Sequence, residues 1–198
     1  MKERPILFSG PMVRAILSGQ KTQTRRIVKP QPAVKDGAWS WETSKVSISA
    51  DAVYHRDFRE LIVGQCPYGQ PGDRLWVRET WAPDDDGGYC YRADCTPNLQ
   101  PDTPANRHEH DNRIGEQWAR WHPSIHMPRK ASRITLDVTG LRAERLQAIS
   151  EADLQAEGSP IHHPPKTWFS RLWASINGPA SWAANPWVWV IEFSVRQP

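Results

Sequence analysis

The sequence predicts one α+β domain, a half-open barrel of about five to six short strands with short helices at its edges and long loop insertions. Three observations support this prediction. Short runs that alternate apolar and polar residues recur along the chain and are typical of strands. Short segments with helical spacing follow residues that cap helices. The 18 prolines among 198 residues favour loops over long helices, and the length suits a single domain spanning residues 1–198.

The first predicted elements are a short helix and the strand that follows it. Ser9 and Pro11 are suited to start the helix, and Gly19 is suited to end it in the left-handed backbone region. Lys21 would lie in the turn that follows. Residues 22–28 (TQTRRIV) then alternate as a strand, in which one face is shared by Thr22, Thr24, Arg26 and Val28.

Two segments, at about residues 30–66 and 82–124, predict loop-rich insertions. The first would contain one short hairpin, with a strand at 45–49, and the second a strand at 89–93. Between them, residues 74–81 (RLWVRETW) predict a strand whose inner face carries Glu79 beside Leu75 and Val77. An acid on an apolar face points to a functional site or to a structural pair with a buried arginine, and both interpretations stay open.

The C-terminal third predicts two more strands and two helices. A strand at 132–138 would point Ile134, Leu136 and Val138 inward. Ser150 and Asp153 form an approximate capping box for a short helix that Gly158 ends. A second helix is predicted at 166–176, with Trp168 and Trp173 on its apolar side. The final strand is 187–195.

Charge is distributed in blocks along the chain. Residues 1–35 and 117–147 are basic, whereas residues 84–116 are acidic, and the net charge is only +3. This pattern favours one positive face for a phosphate or polyanion, or else a set of ordinary solvated faces. Three cysteines are too few for a disulfide framework, and no apolar run is long enough to span a membrane. We therefore expect a cytoplasmic protein without a signal peptide.

Other residue clusters support less specific predictions. Cys90 and Cys95, with His108 and His110 nearby, lack the spacing of a zinc site, so no metal is predicted. Several of the 11 tryptophans lie in polar loops beside arginines, where they would stack on bases or simply pack. These loop tryptophans are Trp39, Trp41, Trp81, Trp118 and Trp121.

One motif and its context resemble a known family. Gly19, Lys21, Thr24 and Arg26 form a Gly-x-Lys-x-x-Thr-x-Arg pattern between the predicted helix and strand. Together with PGDRLWVRETW, ISEADLQAEG and NPWVWVIEF, this pattern resembles the ASCH domain family of the PUA-like β-barrel superfamily. The resemblance covers nearly the whole chain outside the two insertions, and it is strongest to the longer versions from bacteriophages and prophages.

The resemblance implies nucleotide or RNA chemistry without a cofactor. Small bacterial members are amidohydrolases that remove the acyl group from N4-acetylcytidine. By the resemblance, Lys21 would be the base, Thr24 the nucleophile and Glu157 the proton donor. Other members are ribonucleases, so a module that binds RNA or single-stranded nucleic acid without amidohydrolase activity remains the alternative.

Residue chemistry agrees with these roles. A threonine hydroxyl needs a base, and Arg25 and Arg26 would lower the pKa of a neighbouring Lys21. The negative end of its helix would favour the protonated form of Glu157. Arg26 would polarise a carbonyl or hold a phosphate, and Glu79 would orient Lys21 or Arg26. The predicted substrate-binding residues are Arg25, Arg26, Glu79, Trp81, Arg129 and Arg133.

Overall fold

The computed structural model describes residues 1–35, 38–43, 47–51, 55–84, 87–94, 113–114, 117–118, 121–160 and 165–197. A five-stranded mixed sheet forms its centre. In spatial order the strands are β1 (Glu3–Leu7), β6 (Arg74–Arg78), β11 (Thr135–Arg145), β12 (Trp187–Val195) and β2 (Gln23–Ile27). β1 runs parallel to β6 and the other neighbours are antiparallel. The described strands form no closed barrel, so the α+β class is what the structure confirms of the predicted fold.

Smaller sheets and four helices complete the described part of the chain. The remaining strands are β3 (Ala33–Lys35), β4 (Ala38–Glu42), β5 (Ser47–Asp51), β7 (Trp81–Pro83), β8 (Tyr89–Tyr91), β9 (Arg113–Ile114) and β10 (Gln117–Trp118). The helices are α1 (Gly10–Leu17), α2 (His55–Val63), α3 (Glu151–Ala156) and α4 (Pro165–Asn177).

Two apolar cores lie on opposite faces of the central sheet. β12 separates them, because its alternate residues point to opposite sides. Trp187, Trp189 and Ile191 contribute to one core, with α1 and the inner residues of β1 and β6. Val188 and Val190 contribute to the other, with residues of α3 and α4. A strand buried on both faces fixes its register strongly, so it provides a rigid base for the neighbouring β2.

Most predicted elements are confirmed. α1 follows Ser9, and Gly19 adopts the left-handed region with φ of 74°. α3 has the capping box of Ser150 and Asp153, with Gly158 at φ of 92°. The inward positions of the predicted strand at 132–138 are buried, but β11 starts at Thr135 and continues to Arg145. Ile176 is 63% exposed, although helical spacing alone would place it in the core.

The first insertion is more ordered than the sequence predicted. One short hairpin was expected, whereas β3, β4 and β5 form a three-stranded antiparallel sheet that is followed by α2. Trp41 and Ile62 join the core, and Trp39 and Trp41 contact Trp187 and Trp189 edge to face at 5.6 and 6.2 Å between ring centroids. Aromatic packing therefore joins this segment to the central sheet.

Some sequence predictions fall outside the described residues. Cys95, His108 and His110 belong to this group, so the structure does not describe their positions relative to Cys90. Among the described residues, no helix combines the length and apolar character that crossing a membrane requires.

Candidate active site

The turn between α1 and β2 places Lys21 inside the protein. The left-handed Gly19 reverses the chain after α1, and the Lys21 N–H donates to the carbonyl of Ala15 at 2.9 Å. β2 then begins at Gln23, so Lys21 belongs to the turn, as expected. Its side chain is only 2% exposed. A buried ammonium needs compensating partners, and the end of α3 supplies them.

Four hydrogen bonds hold the end of α3 and the residues after it against this turn. The Thr22 N–H donates to Ala156 O at 2.9 Å, and the Gln20 side chain donates to Ser159 O at 3.1 Å. The Lys21 ammonium donates to the Glu157 carbonyl at 2.9 Å and to its carboxylate Oε2 at 2.7 Å. The structure therefore brings Lys21 and Glu157, which are 136 residues apart in sequence, into direct contact.

Arg25 holds the other side of the Glu157 carboxylate. Its guanidinium donates to Glu157 Oε1 at 3.1 Å and to Glu144 at 2.5 Å, and it lies 3.1 Å from Asp153. One fully buried arginine thus joins β2, β11 and α3. Because a planar guanidinium has fixed donor directions, this contact sets the position of Glu157 as well as balancing its charge.

Burial is the main influence on the charge of Lys21. It lowers the pKa of the ammonium, Glu157 acts in the opposite direction, and Arg26 and Arg25 lower the pKa further. The expected direction is confirmed, but the two arginines are minor causes. Lys21 and Arg25 each place a positive charge against one oxygen of the Glu157 carboxylate, a contact that the sequence did not suggest.

Lys21, Thr24 and Glu157 line one cavity of about 510 Å³. Thr24 is 4% exposed, and within the described part of the chain no side-chain hydrogen bond occupies its hydroxyl. Polar residues of β2 and the Lys21–Glu157 pair line part of the cavity, and apolar residues line much of the rest. The apolar wall consists of Leu7, Phe8, Met12, Phe169, Leu172, Trp173 and Ile176.

Arg26 lies at the edge of this cavity. Its Nη2 donates to the carbonyl of Leu7 at 2.6 Å, and its guanidinium lies 5.1 Å from the centre of the Phe8 ring. Its Nε is buried without a hydrogen-bond partner among the described residues. Unlike Arg25, Arg26 forms no ion pair with a described carboxylate.

The structure places the other predicted binding residues outside this cavity. Glu79 accepts hydrogen bonds from Arg133 at 3.0 and 3.2 Å, so it orients Arg133 rather than Lys21 or Arg26. Burial raises the pKa of Glu79, which the guanidinium of Arg133 opposes. Arg129 pairs with Glu3 at 3.1 Å, and Trp81 stacks on His122 with 4.9 Å between ring centroids.

Sequence reasoning missed the apolar wall of the cavity. Its α4 residues repeat at helical spacing, and this pattern predicts a core face equally well. Phe8 directly precedes α1, and Met12 belongs to the apolar stripe of α1, which likewise predicts a core face. The available signal was the number of large apolar residues on α4, which exceeds what one buried face of a short helix needs.

Searches against protein-family models, curated proteins and solved structures each returned no match. The chemistry of the cavity and the motif resemblance are therefore the basis for assigning a function.

Proposed function

We propose that this chain is a PUA-like protein of the ASCH family that hydrolyses the exocyclic amide of an N4-acylated cytosine nucleoside. One observation carries the proposal: the Lys21 ammonium donates to Glu157 at 2.7 Å in the same cavity that Thr24 lines. This arrangement supplies a base, an acid and a hydroxyl nucleophile without a metal or a cofactor.

The Lys21–Glu157 pair supplies the base and the acid together. Transfer of one proton along their hydrogen bond converts the ammonium and carboxylate into a neutral amine and a carboxylic acid. Burial supports this transfer from the side of the base, because it lowers the pKa of the Lys21 ammonium. The amine can then accept a proton from Thr24 while the acid keeps one for the leaving group.

The reaction proceeds by acyl transfer. The Thr24 oxygen attacks the amide carbonyl carbon, and Lys21 accepts the hydroxyl proton. The bond from carbon to N4 then breaks, and N4 leaves with the proton of Glu157 as the amino group of cytidine. Water next cleaves the threonine ester, which releases the carboxylic acid and restores the hydroxyl. Atoms and charge balance without an added reactant other than water.

The apolar part of the cavity lining suits a nucleobase. Phe8, Leu172 and Trp173 present apolar and aromatic surface to the space next to Thr24. Flat bases bind to such surfaces by stacking and by exclusion of water. The exposed Ile176 lies in the same wall and adds apolar surface that is otherwise costly to leave in solvent.

Release of cytidine and acetate from N4-acetylcytidine by the purified chain tests the proposal. Thr24→Val removes the hydroxyl with little change in shape and should abolish turnover. Thr22→Val is the matched control, because Thr22 is exposed two residues away and should tolerate the same change. Glu157→Gln should lower kcat by about 100-fold to 10,000-fold, the usual contribution of a general acid. Absence of cytidine release from the wild-type chain would contradict the proposal.

The alternative, a nucleic-acid module without this activity, has less support. Trp41, one of the tryptophans expected either to stack on bases or to pack, packs edge to face against Trp189. Arg133 is paired with Glu79 and Asp94 rather than directed at a ligand. Salt-dependent RNA binding together with no cytidine release would favour this alternative.

A further inference from the structure

A second cavity adjoins the catalytic one. It measures about 540 Å³, a size typical of small-molecule sites, and the two cavities share Arg26, Ile27 and Asn177. Part of its lining comes from the inserted segment, which contributes Trp41, Thr43 and Gln65. The insertion therefore forms a chamber next to the catalytic cavity.

The charged residues in the described lining of this second cavity are both positive. They are Arg26 and Lys29, and no aspartate or glutamate occurs among the described lining residues. Lys29 is exposed, and no described carboxylate pairs with it. Arg26 has a buried Nε without a described partner, and burial lowers its pKa although Tyr68 and Glu157 act in the opposite direction. Two cations with unused donors thus face one chamber.

We propose that the second cavity binds the phosphate group of a nucleotide whose base occupies the catalytic cavity. The inference rests on the proposed function for the position of the base and names the substrate class as phosphate-bearing. Arg26 lies in the shared wall, where its free donors suit the phosphate oxygens of a group attached to the sugar. Lys29 adds a second positive charge from the open side, and neutral donors such as Gln65 suit the sugar hydroxyls.

Calorimetric titration of the full chain tests this site without turnover. The probes are cytidine, cytidine 5′-monophosphate and the dinucleotide cytidylyl-(3′→5′)-uridine. The phosphate-bearing probes should bind about 10-fold tighter or more than cytidine, as expected for charge-assisted hydrogen bonds. Tight binding of the monophosphate alone indicates a free nucleotide, whereas tight binding of the dinucleotide as well indicates an oligonucleotide.

Two lysine variants locate the effect. Lys29→Gln should reduce the preference for phosphate-bearing probes, and it should fold because Lys29 is exposed. Lys166→Gln removes an exposed lysine outside both linings and should keep the preference. Equal affinity for cytidine and its monophosphate, or a preference that Lys29→Gln leaves unchanged, would overturn the proposal. If the preference is found but N4-acetylcytidine is not hydrolysed, the proposed function fails and the phosphate site stands.

Discussion

At the scale of single residues, the proposed reaction depends on the proton that Lys21 and Glu157 share. The proposed active form of the pair carries one proton more than the fully deprotonated pair. Gain of a second proton would remove the base, and loss of the shared proton would remove the acid. Because the two groups are in direct contact, the two steps belong to the pair rather than to either residue.

The pH profile of kcat/KM should therefore be bell-shaped. Burial lowers the pKa of Lys21, so the alkaline limb should fall below pH 10.5, the ordinary lysine value. The measurement is the rate of cytidine release from N4-acetylcytidine at acidic, neutral and alkaline pH. Circular dichroism at each pH shows whether the chain stays folded. An alkaline limb at or above pH 10.5 would contradict the assignment of Lys21 to the shared proton.

At the scale of elements, two helix ends hold the reactive groups together. Gly19 ends α1 and Gly158 follows α3, and both have left-handed backbones with φ of 74° and 92°. A Cβ at Gly158 would lie 3.4 Å from the Cβ of Lys21 and 3.3 Å from that of Ala15, whereas one at Gly19 would meet no atom within 4 Å. Gly19 and Gly158 thus share a left-handed backbone but differ in the space that a Cβ would have.

Alanine substitution at each glycine separates the cost of the left-handed backbone from the effect of a new contact with Lys21. Gly19→Ala and Gly158→Ala should each lose about 1–3 kcal/mol of stability from the left-handed backbone. Only Gly158→Ala should also displace Lys21, and it should lower kcat/KM by about 10-fold or more, since small misplacements of catalytic groups are costly. Urea denaturation and cytidine release measure the two effects. Equal activity in the two variants would show that Gly158 does not position Lys21.

The capping box at the start of α3 predicts an acid-sensitive stability. Burial of Asp153 opposes its ionisation, but hydrogen bonds with Ser150 and the guanidiniums of Arg25 and Arg142 outweigh it and lower the pKa from 3.8 to about 2. A lowered pKa stabilises the folded state above the unfolded value, and this stability is lost as pH falls through the folded value.

Asp153 should therefore contribute about 2 kcal/mol near neutral pH, and this contribution should disappear between about pH 4 and pH 2. Urea denaturation at several pH values should show this loss in the wild-type chain and a flatter dependence in Asp153→Asn. Asp137→Asn changes a carboxylate at the surface and should keep the wild-type slope. If the free energy of unfolding of Asp153→Asn depends on pH as in the wild-type chain, other groups cause the acid sensitivity.

Most helices and strands around the candidate site could be predicted from the sequence. Capping residues and glycines marked both ends of α3, and alternation marked the buried positions of β6 and β11. β1 was missed because it is a short edge strand containing Pro5, a residue that usually argues against a strand. α2 was missed because its turn-rich surroundings obscured the helical spacing.

The contacts of Arg25 could not be predicted from sequence. Adjacent basic residues in β2 suggested a charge effect on Lys21, but not a bridge to Glu144 and Asp153. That bridge depends on the register of β2 against β12 and of β12 against β11, which places residues from three elements around one guanidinium. Such a network depends on tertiary packing and leaves no local pattern.

At the scale of the whole molecule, the central sheet places two cavities side by side. β2 is an edge strand, so its Lys21 end meets α3 and its outer side meets the inserted segment. Rigid packing of β12 on both faces supports this edge. The first insertion contributes to the lining of the second cavity, and none of its described residues lines the cavity of Lys21, Thr24 and Glu157.

The role of Thr24 as nucleophile is tested most directly by trapping the acyl group on the protein. Rapid quenching of a single turnover of acetyl-labelled N4-acetylcytidine, followed by peptide mass spectrometry, detects a threonine ester. We expect an acetyl group on Thr24 that appears before free acetate and is absent in Thr24→Val. Cytidine release at the wild-type rate in Thr24→Val, or release without any acetyl group on Thr24, would contradict it.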